Sequence, residues 1–213
     1  MNTPYSRTRI LVEGALMTAL ATILSFIPIF ELPHGGSITL VSMLPLLVMS
    51  FRHGPKWGMF TAFVNSLVQL FLGLKNLAYC QTLGAQIGCI LLDYILGFTV
   101  LGLAVVLAKP FKHKLAGVAF SSTAVCLLRF LCSFLSGYIV WKDYDYAFEW
   151  MNNFGWGAWF TQHLGQDALC WVYSFFYNAS YMLPEIVLTI IGILLLYRFG
   201  HKLFERQERR VSL

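Results

Sequence analysis

The sequence predicts an all-α integral membrane protein of six transmembrane helices with both termini in the cytoplasm. Three observations predict it. Hydrophobic residues make up 58% of the 213, charged residues only 12%, and mean hydropathy is +0.67. A soluble domain is about a quarter charged, so this chain has too few charges to coat a water-facing surface. The apolar residues also gather into runs near the ~20 residues that a membrane helix needs. Finally, Lys and Arg divide unevenly between the segments joining those runs. With cytoplasmic ends, 12 of the 15 fall in inner segments, while Lys75 and Lys142 fall in outer ones and Arg129 lies inside a span. That asymmetry follows the positive-inside rule and favours an even number of crossings.

The spans follow in order. The first, 10–30, is longer than a signal-peptide core and lacks a small-residue cleavage site before polar sequence, so it reads as a membrane helix. The second, 38–51, is short for a crossing and is expected to be tilted, re-entrant or capped by protein at one end. The third covers 57–74, the fourth 86–108 and the fifth 115–141. The sixth, 171–200, is too long for one straight crossing, and Pro184 is expected to mark a break or a helix start within it. The segment 142–170 is expected to be an outer loop, too aromatic for disorder, lying at the membrane interface or over a site. The basic tail, 201–213, reads as a cytoplasmic end near anionic lipid. The whole of 1–213 forms one transmembrane domain.

Several function classes fall away. The net charge of +5 sits between apolar runs, which fits a bilayer and not a nucleic acid. Five cysteines with no CxxC pair argue against a disulfide framework and a zinc site. There is no GxxxxGK[ST] loop for ATP hydrolysis and no HExxH, and no Ser–His or paired-carboxylate motif. The expectation is a non-enzyme that needs no cofactor or metal.

Polar residues inside the spans point to function, because a charge at the bilayer centre costs about 2.5–3.5 kcal/mol even on insertion scales. Glu13, Asp93, Arg129 and Glu185 are such residues. Glu13 lies near the inner helix end and reads as structural. Arg129 could pair with Asp93 or Glu185 merely to hold helices together, or face a ligand. Asp93, followed by Tyr94, reads as a site residue. On the fifth span Arg129, Ser133, Gly137 and Trp141 recur every four residues, so they share one slowly drifting side. On the sixth, Tyr173, Tyr177 and Tyr181 repeat that spacing beside Asn178. Aromatic planes, one carboxylate and one carboxamide suit a flat cationic or weakly basic heterocycle. On the first span Ala15 and Ala19 form a small-xxx-small pair next to Gly14, the kind of face that allows close helix packing in lipid.

Four stretches carry a family likeness: GGSITLVSMLPLLVMSFRHGPKWG (35–58), LLDYILGF (91–98), RFLCSFLSGYIVW (129–141) and YNASYMLPE (177–185). Through them the chain resembles the substrate-binding (S) component of energy-coupling-factor vitamin transporters, and among these the thiamine transporter family. The resemblance implies a protein of the cell membrane that captures thiamine with high affinity from outside. Its implied partners are a transmembrane coupling protein and two ABC ATPases, which use the ATP. It implies a substrate site of Asp93, Tyr94, Gly137, Trp141, Tyr173 and Asn178, with Ser133 where the family usually has His. His34 is the nearest ring to a Trp expected in the first outer loop. Tyr79 is the nearest equivalent of another expected Tyr. Ala15 and Ala19 match the face that meets the coupling protein. The alternatives are an S component for a related heterocycle, such as a thiamine precursor, and an integral-membrane enzyme acting on lipid.

Overall fold

The computed structural model describes residues 7–32, 36–80, 82–200 and 204. Helix α1 (Arg7–Ser25) leads into a hairpin of β1 (Pro28–Glu31) and β2 (Ser37–Thr39). Then come α2 (Leu44–His53), α3 (Pro55–Leu72) and a single turn, α4 (Leu74–Leu77). A continuous helical run, α5 (Leu83–Ala108), is followed by α6 (Lys114–Ile139). Two short helices, α7 (Tyr144–Asn152) and α8 (Gly157–His163), precede the long α9 (Gln166–Phe199). The tail 201–213, save Phe204, lies outside the described residues, as does His34.

The fold is mostly helical, as expected, but not all-α. The first span ends at Ser25, and the chain turns into the hairpin instead of continuing to residue 30. Gly36 makes the return possible, since its φ of +90° is open to glycine at no steric cost. Among the described residues, four helices (α1, α5, α6 and α9) are long and apolar enough to cross a membrane. The second expected span is only the ten-residue α2. At 1.5 Å per residue it reaches about 15 Å, half of a hydrocarbon core. It is a core helix, with Pro45 through Phe51 all buried. In α3 the inward-facing Asn65, Ser66 and Gln69 dilute the apolar character of an 18-residue helix.

Pro184 neither breaks nor starts a helix: α9 runs through it for 34 residues. The missing N–H costs one backbone bond, to Ser180, and packing on both sides holds the helix in line. The expected outer loop is also largely helical. Asp143 caps α7 by accepting from Tyr146 N–H at 3.0 Å. Ala147 and Met151 of α7 are fully buried against Leu169, Cys170, Tyr173 and Tyr177 of α9. An ion pair from Lys142 to Asp167 ties the two ends of this segment together.

The main apolar core lies toward the end of the bundle that holds Arg7 and Phe199, where Leu46, Leu47, Leu101, Val125 and Ile193 are fully enclosed. Close backbone approaches set the helix spacing there. A Cβ on Gly58 would lie 2.6 Å from Ser50 Cα, and one on Gly102 would overlap the backbone of Gly58 and Met59. Glu13 bridges α1 to α2 through Arg52, at 3.0 Å, and His53, at 2.5 Å, which agrees with its structural reading. Outside the bundle, large apolar side chains such as Leu16, Phe60, Leu131 and Leu195 stand exposed, as lipid-facing residues do.

Candidate ligand-binding site

The opposite end of the bundle holds a cavity of about 740 Å³, bounded by the hairpin, α3, α5, α6, α7 and α9. That size is within the usual range for small-molecule pockets.

Asp93 sits where α5 winds as a π-helix, over Ile90–Leu96. The wider winding reduces the angle between neighbours, so Asp93 and Tyr94 both line the cavity. Asp93 Oδ2 accepts from Ser136 Oγ at 2.6 Å and from Trp141 Nε1 at 3.2 Å. Its other oxygen takes no hydrogen bond from an N–H or O–H among the described residues. Tyr94 is 9% exposed, and its hydroxyl lies 3.4 Å from Gly73 O, at the junction of α3 and α4.

The tyrosine stripe of α9 makes a wall. Tyr173, Tyr177 and Tyr181 line the cavity, with successive ring centroids 5.4 and 6.3 Å apart. Tyr146 of α7 meets Tyr173 edge-on at 5.8 Å. Burial lifts its phenol above the ordinary range, with the Glu149 carboxylate adding to the effect. Trp150 stands behind the wall, 5.5 Å from Tyr173 and 5.7 Å from Tyr177. Asn178 lines the cavity too, but much of its amide is committed within α9. Nδ2 donates to Ser174 O at 2.8 Å, and Oδ1 accepts from Tyr181 O–H at 2.8 Å. Gly137 of α6 faces the same helix, where a Cβ would overlap Ser174 Oγ and stand 3.0 Å from Asn178 Nδ2.

The structure thus brings Asp93, Tyr94, Ser133, Gly137, Trp141, Tyr173 and Asn178 to one cavity, along with Tyr79. Neither predicted ion pair forms: among the described residues Arg129 pairs with no carboxylate. It lies instead over the Phe98 ring, 3.9 Å from the centroid. Glu185 is 2% exposed, with Thr39 Oγ1 at 2.5 Å and Ser42 Oγ at 3.1 Å from its Oε1. These bonds pin the hairpin to α9. A Cβ on Gly36 would come within 2.6 Å of the Tyr181 ring, so the hairpin lies flat against the same wall.

Sequence reasoning missed Ser136, which is one position off the four-residue line of α6. It also missed Asn65 and Gln69 of α3, Thr39, and Ser42. The signal for the two amides was available, because they are one helical turn apart within an apolar run. Ala15 and Ala19 lie on the exposed face of α1, whereas Gly14 faces inward against Thr61.

The sequence matches the model of the thiamine transporter protein family (Thia_YuaJ) over residues 11–205. The chain belongs to this family. It is therefore a multi-pass membrane transport protein and not an enzyme. A curated relative, thiamine transporter ThiT of Bacillus subtilis (strain 168), is 29% identical over 200 residues, which cover 93% of this chain and 95% of that protein. The solved structure of ThiT from Listeria monocytogenes shares the fold. It has a TM-score of 0.64 at 24% identity and covers 93% of this chain and 98% of that one.

Proposed function

We propose that this family member is the high-affinity thiamine-binding S component of an energy-coupling-factor importer, and that the cavity is its thiamine site. The observation that carries the reading is the Asp93 carboxylate, buried beside a wall of tyrosines with one oxygen fixed by Ser136 and Trp141. A fixed carboxylate accepts from the amino group of an aminopyrimidine. The rings of Tyr173, Tyr177 and Trp141 offer faces to a cationic thiazolium. Tyr94 and Ser133 complete the lining. Asn178 acts mainly by holding Tyr181 in place, and Gly137 leaves room beside it.

The importing cycle follows from the placement of these parts. The reading keeps six membrane segments, with the short buried α2 as the second and α3 as the third. The Lys and Arg asymmetry supports cytoplasmic termini and, with them, a cavity that opens outward under the hairpin and α7. The hairpin, pinned by Glu185, roofs the bound thiamine. The exposed Ala15–Ala19 face of α1 receives the coupling protein, whose two ATPases drive release inside.

Titration of the detergent-purified protein with thiamine, followed by Trp fluorescence, tests the binding step. Saturable quenching at nanomolar thiamine is the expected result, corresponding to about −12 kcal/mol. Competition by the pyrimidine fragment but not by the thiazole fragment would place the dominant contact at Asp93. No quenching and no calorimetric heat would refute the reading.

A further inference from the structure

The segment between α6 and α9 folds back on itself beside α9. Tyr146 meets Tyr173, whereas Trp150, one turn on, meets both Tyr173 and Tyr177. α7 therefore runs along α9 in the same direction, toward the apolar end of the bundle. The turn that follows carries Phe154 and Trp156. Trp156 and Phe160 reach Phe176, with ring centroids 4.6 and 5.9 Å away. α8 then returns to Gly165, where α9 begins. The tip of this re-entrant pair of helices is level with Phe176, about 15 Å along α9 from its first residue.

Phe176 stands at a definable depth. A hydrocarbon core about 30 Å thick takes about 20 residues of helix. Counted from the basic Arg198 near the end of α9, that length ends near Asn178, half a turn from Phe176. Counted from Lys114, the first residue of α6, it ends at Phe134. The two counts are independent, and they meet: the rings of Phe134 and Phe175 lie 6.0 Å apart. The membrane boundary at the cavity end therefore falls at the tip of α7 and α8.

The exposed side chains fit that depth. Leu195, Ile191, Val187 and Leu183 form an exposed apolar line up α9. Two turns further on the same side is Phe176, half-buried because Trp156 and Phe160 cover it. There Trp156 and Trp159 become the outward-facing side chains, 47% and 57% exposed. Asp143 and Asp145, also exposed, sit at the other end of α7, about 10 Å from the tip. The segment is thus charged where it stands in water and aromatic where it meets the boundary. Trp suits that layer, because its ring is apolar and its N–H is polar.

We infer that Trp156 and Trp159 bind phospholipid at the headgroup–glycerol layer and anchor α7 and α8 there. Lipid is the partner because these rings continue a face of α9 that lipid already covers. The anchor ties one wall of the cavity to the bilayer, since Tyr146 and Trp150 of α7 pack on the tyrosines of α9.

The test places wild-type protein and the Trp156→Phe/Trp159→Phe variant in phosphatidylcholine nanodiscs. The acyl chains are brominated either near the glycerol or near the chain ends. Phe keeps the apolar surface but lacks indole emission, so the difference between the two proteins reports the two indoles. That difference is expected to lose more intensity to bromine near the glycerol than to bromine near the chain ends or to aqueous iodide. Equal or stronger quenching at the chain ends overturns the interfacial depth. Quenching by iodide alone puts the indoles in water, and protection from all three quenchers means a protein cover such as a second copy; either overturns the anchor. If the double variant does not fold, Trp159→Phe alone is judged by the same outcomes. No thiamine is added, so the result stands apart from the thiamine reading.

Discussion

Gly137 shows how little space a single position in the site leaves. Its missing side chain is replaced by Ser174 Oγ and Asn178 Nδ2. Gly137→Val therefore forces α6 away from α9. Overpacking of this kind costs about 1–3 kcal/mol. A lower Tm in a thermal melt and a loss of thiamine affinity exceeding tenfold are the expected outcomes. Residues of this sort were legible in the sequence because a glycine, a carboxylate and a tryptophan are conspicuous in an apolar span. Asp93 was found by the cost of its charge, and Trp141 by its spacing from Gly137. Asn65 and Ser136 were not found, since neutral polar side chains carry a smaller penalty in a helix and attract less notice. What distinguishes them is tertiary: Ser136 has Asp93 within reach, and Asn65 Oδ1 has no hydrogen-bond partner among the described residues. No pattern along one helix can express a partner on another.

At the scale of elements, α7 is the part with the clearest mechanical role. Its buried face, Ala147 and Met151, packs on α9, and Trp150 supports the rings of Tyr173 and Tyr177 from behind. Trp150→Ala removes that support without touching the cavity. Large-to-small aromatic changes cost about 3–5 kcal/mol in well-packed sites. The variant is expected to melt earlier and to release thiamine faster, which stopped-flow fluorescence reads directly. The hairpin is the other element that roofs the cavity. Val41, between Thr39 and Ser42, has φ +51°, a costly conformation for a β-branched residue. The bonds of Thr39 and Ser42 to Glu185 fix the chain on either side of it. Neither element was legible as such. The period-based reading saw an aromatic loop at 142–170 and a short second span at 38–51. The residues that form α7 and the hairpin are stabilised by α9, more than a dozen residues away in sequence, and not by their own periodicity.

For the whole molecule, the division of labour between the two ends of the bundle is the organising feature. One end is an apolar core closed by glycine contacts, and the other is a polar cavity roofed by the hairpin and α7. Hydropathy and charge distribution conveyed this much of the fold in advance: long spans, a membrane, and an uneven Lys and Arg distribution. Partner contact belongs to this scale as well. Ala15 and Ala19 lie on an exposed face away from the cavity. Ala19→Trp is expected to leave thiamine titration unchanged while abolishing ATP-driven uptake in vesicles containing the coupling protein and ATPases. Normal uptake by that variant would place the partner elsewhere.

The central claim is that one carboxylate in the cavity anchors thiamine. Calorimetric titration of thiamine into wild-type and Asp93→Asn protein tests it most directly. Asn keeps the shape and an acceptor for Ser136 and Trp141 but removes the charge. Nanomolar binding by the wild type and a loss of about a hundredfold or more in the variant is the predicted result, in line with the ~1.5–3 kcal/mol of a charged hydrogen bond plus the electrostatics of a buried cation. Equal affinity in the two proteins would contradict the account.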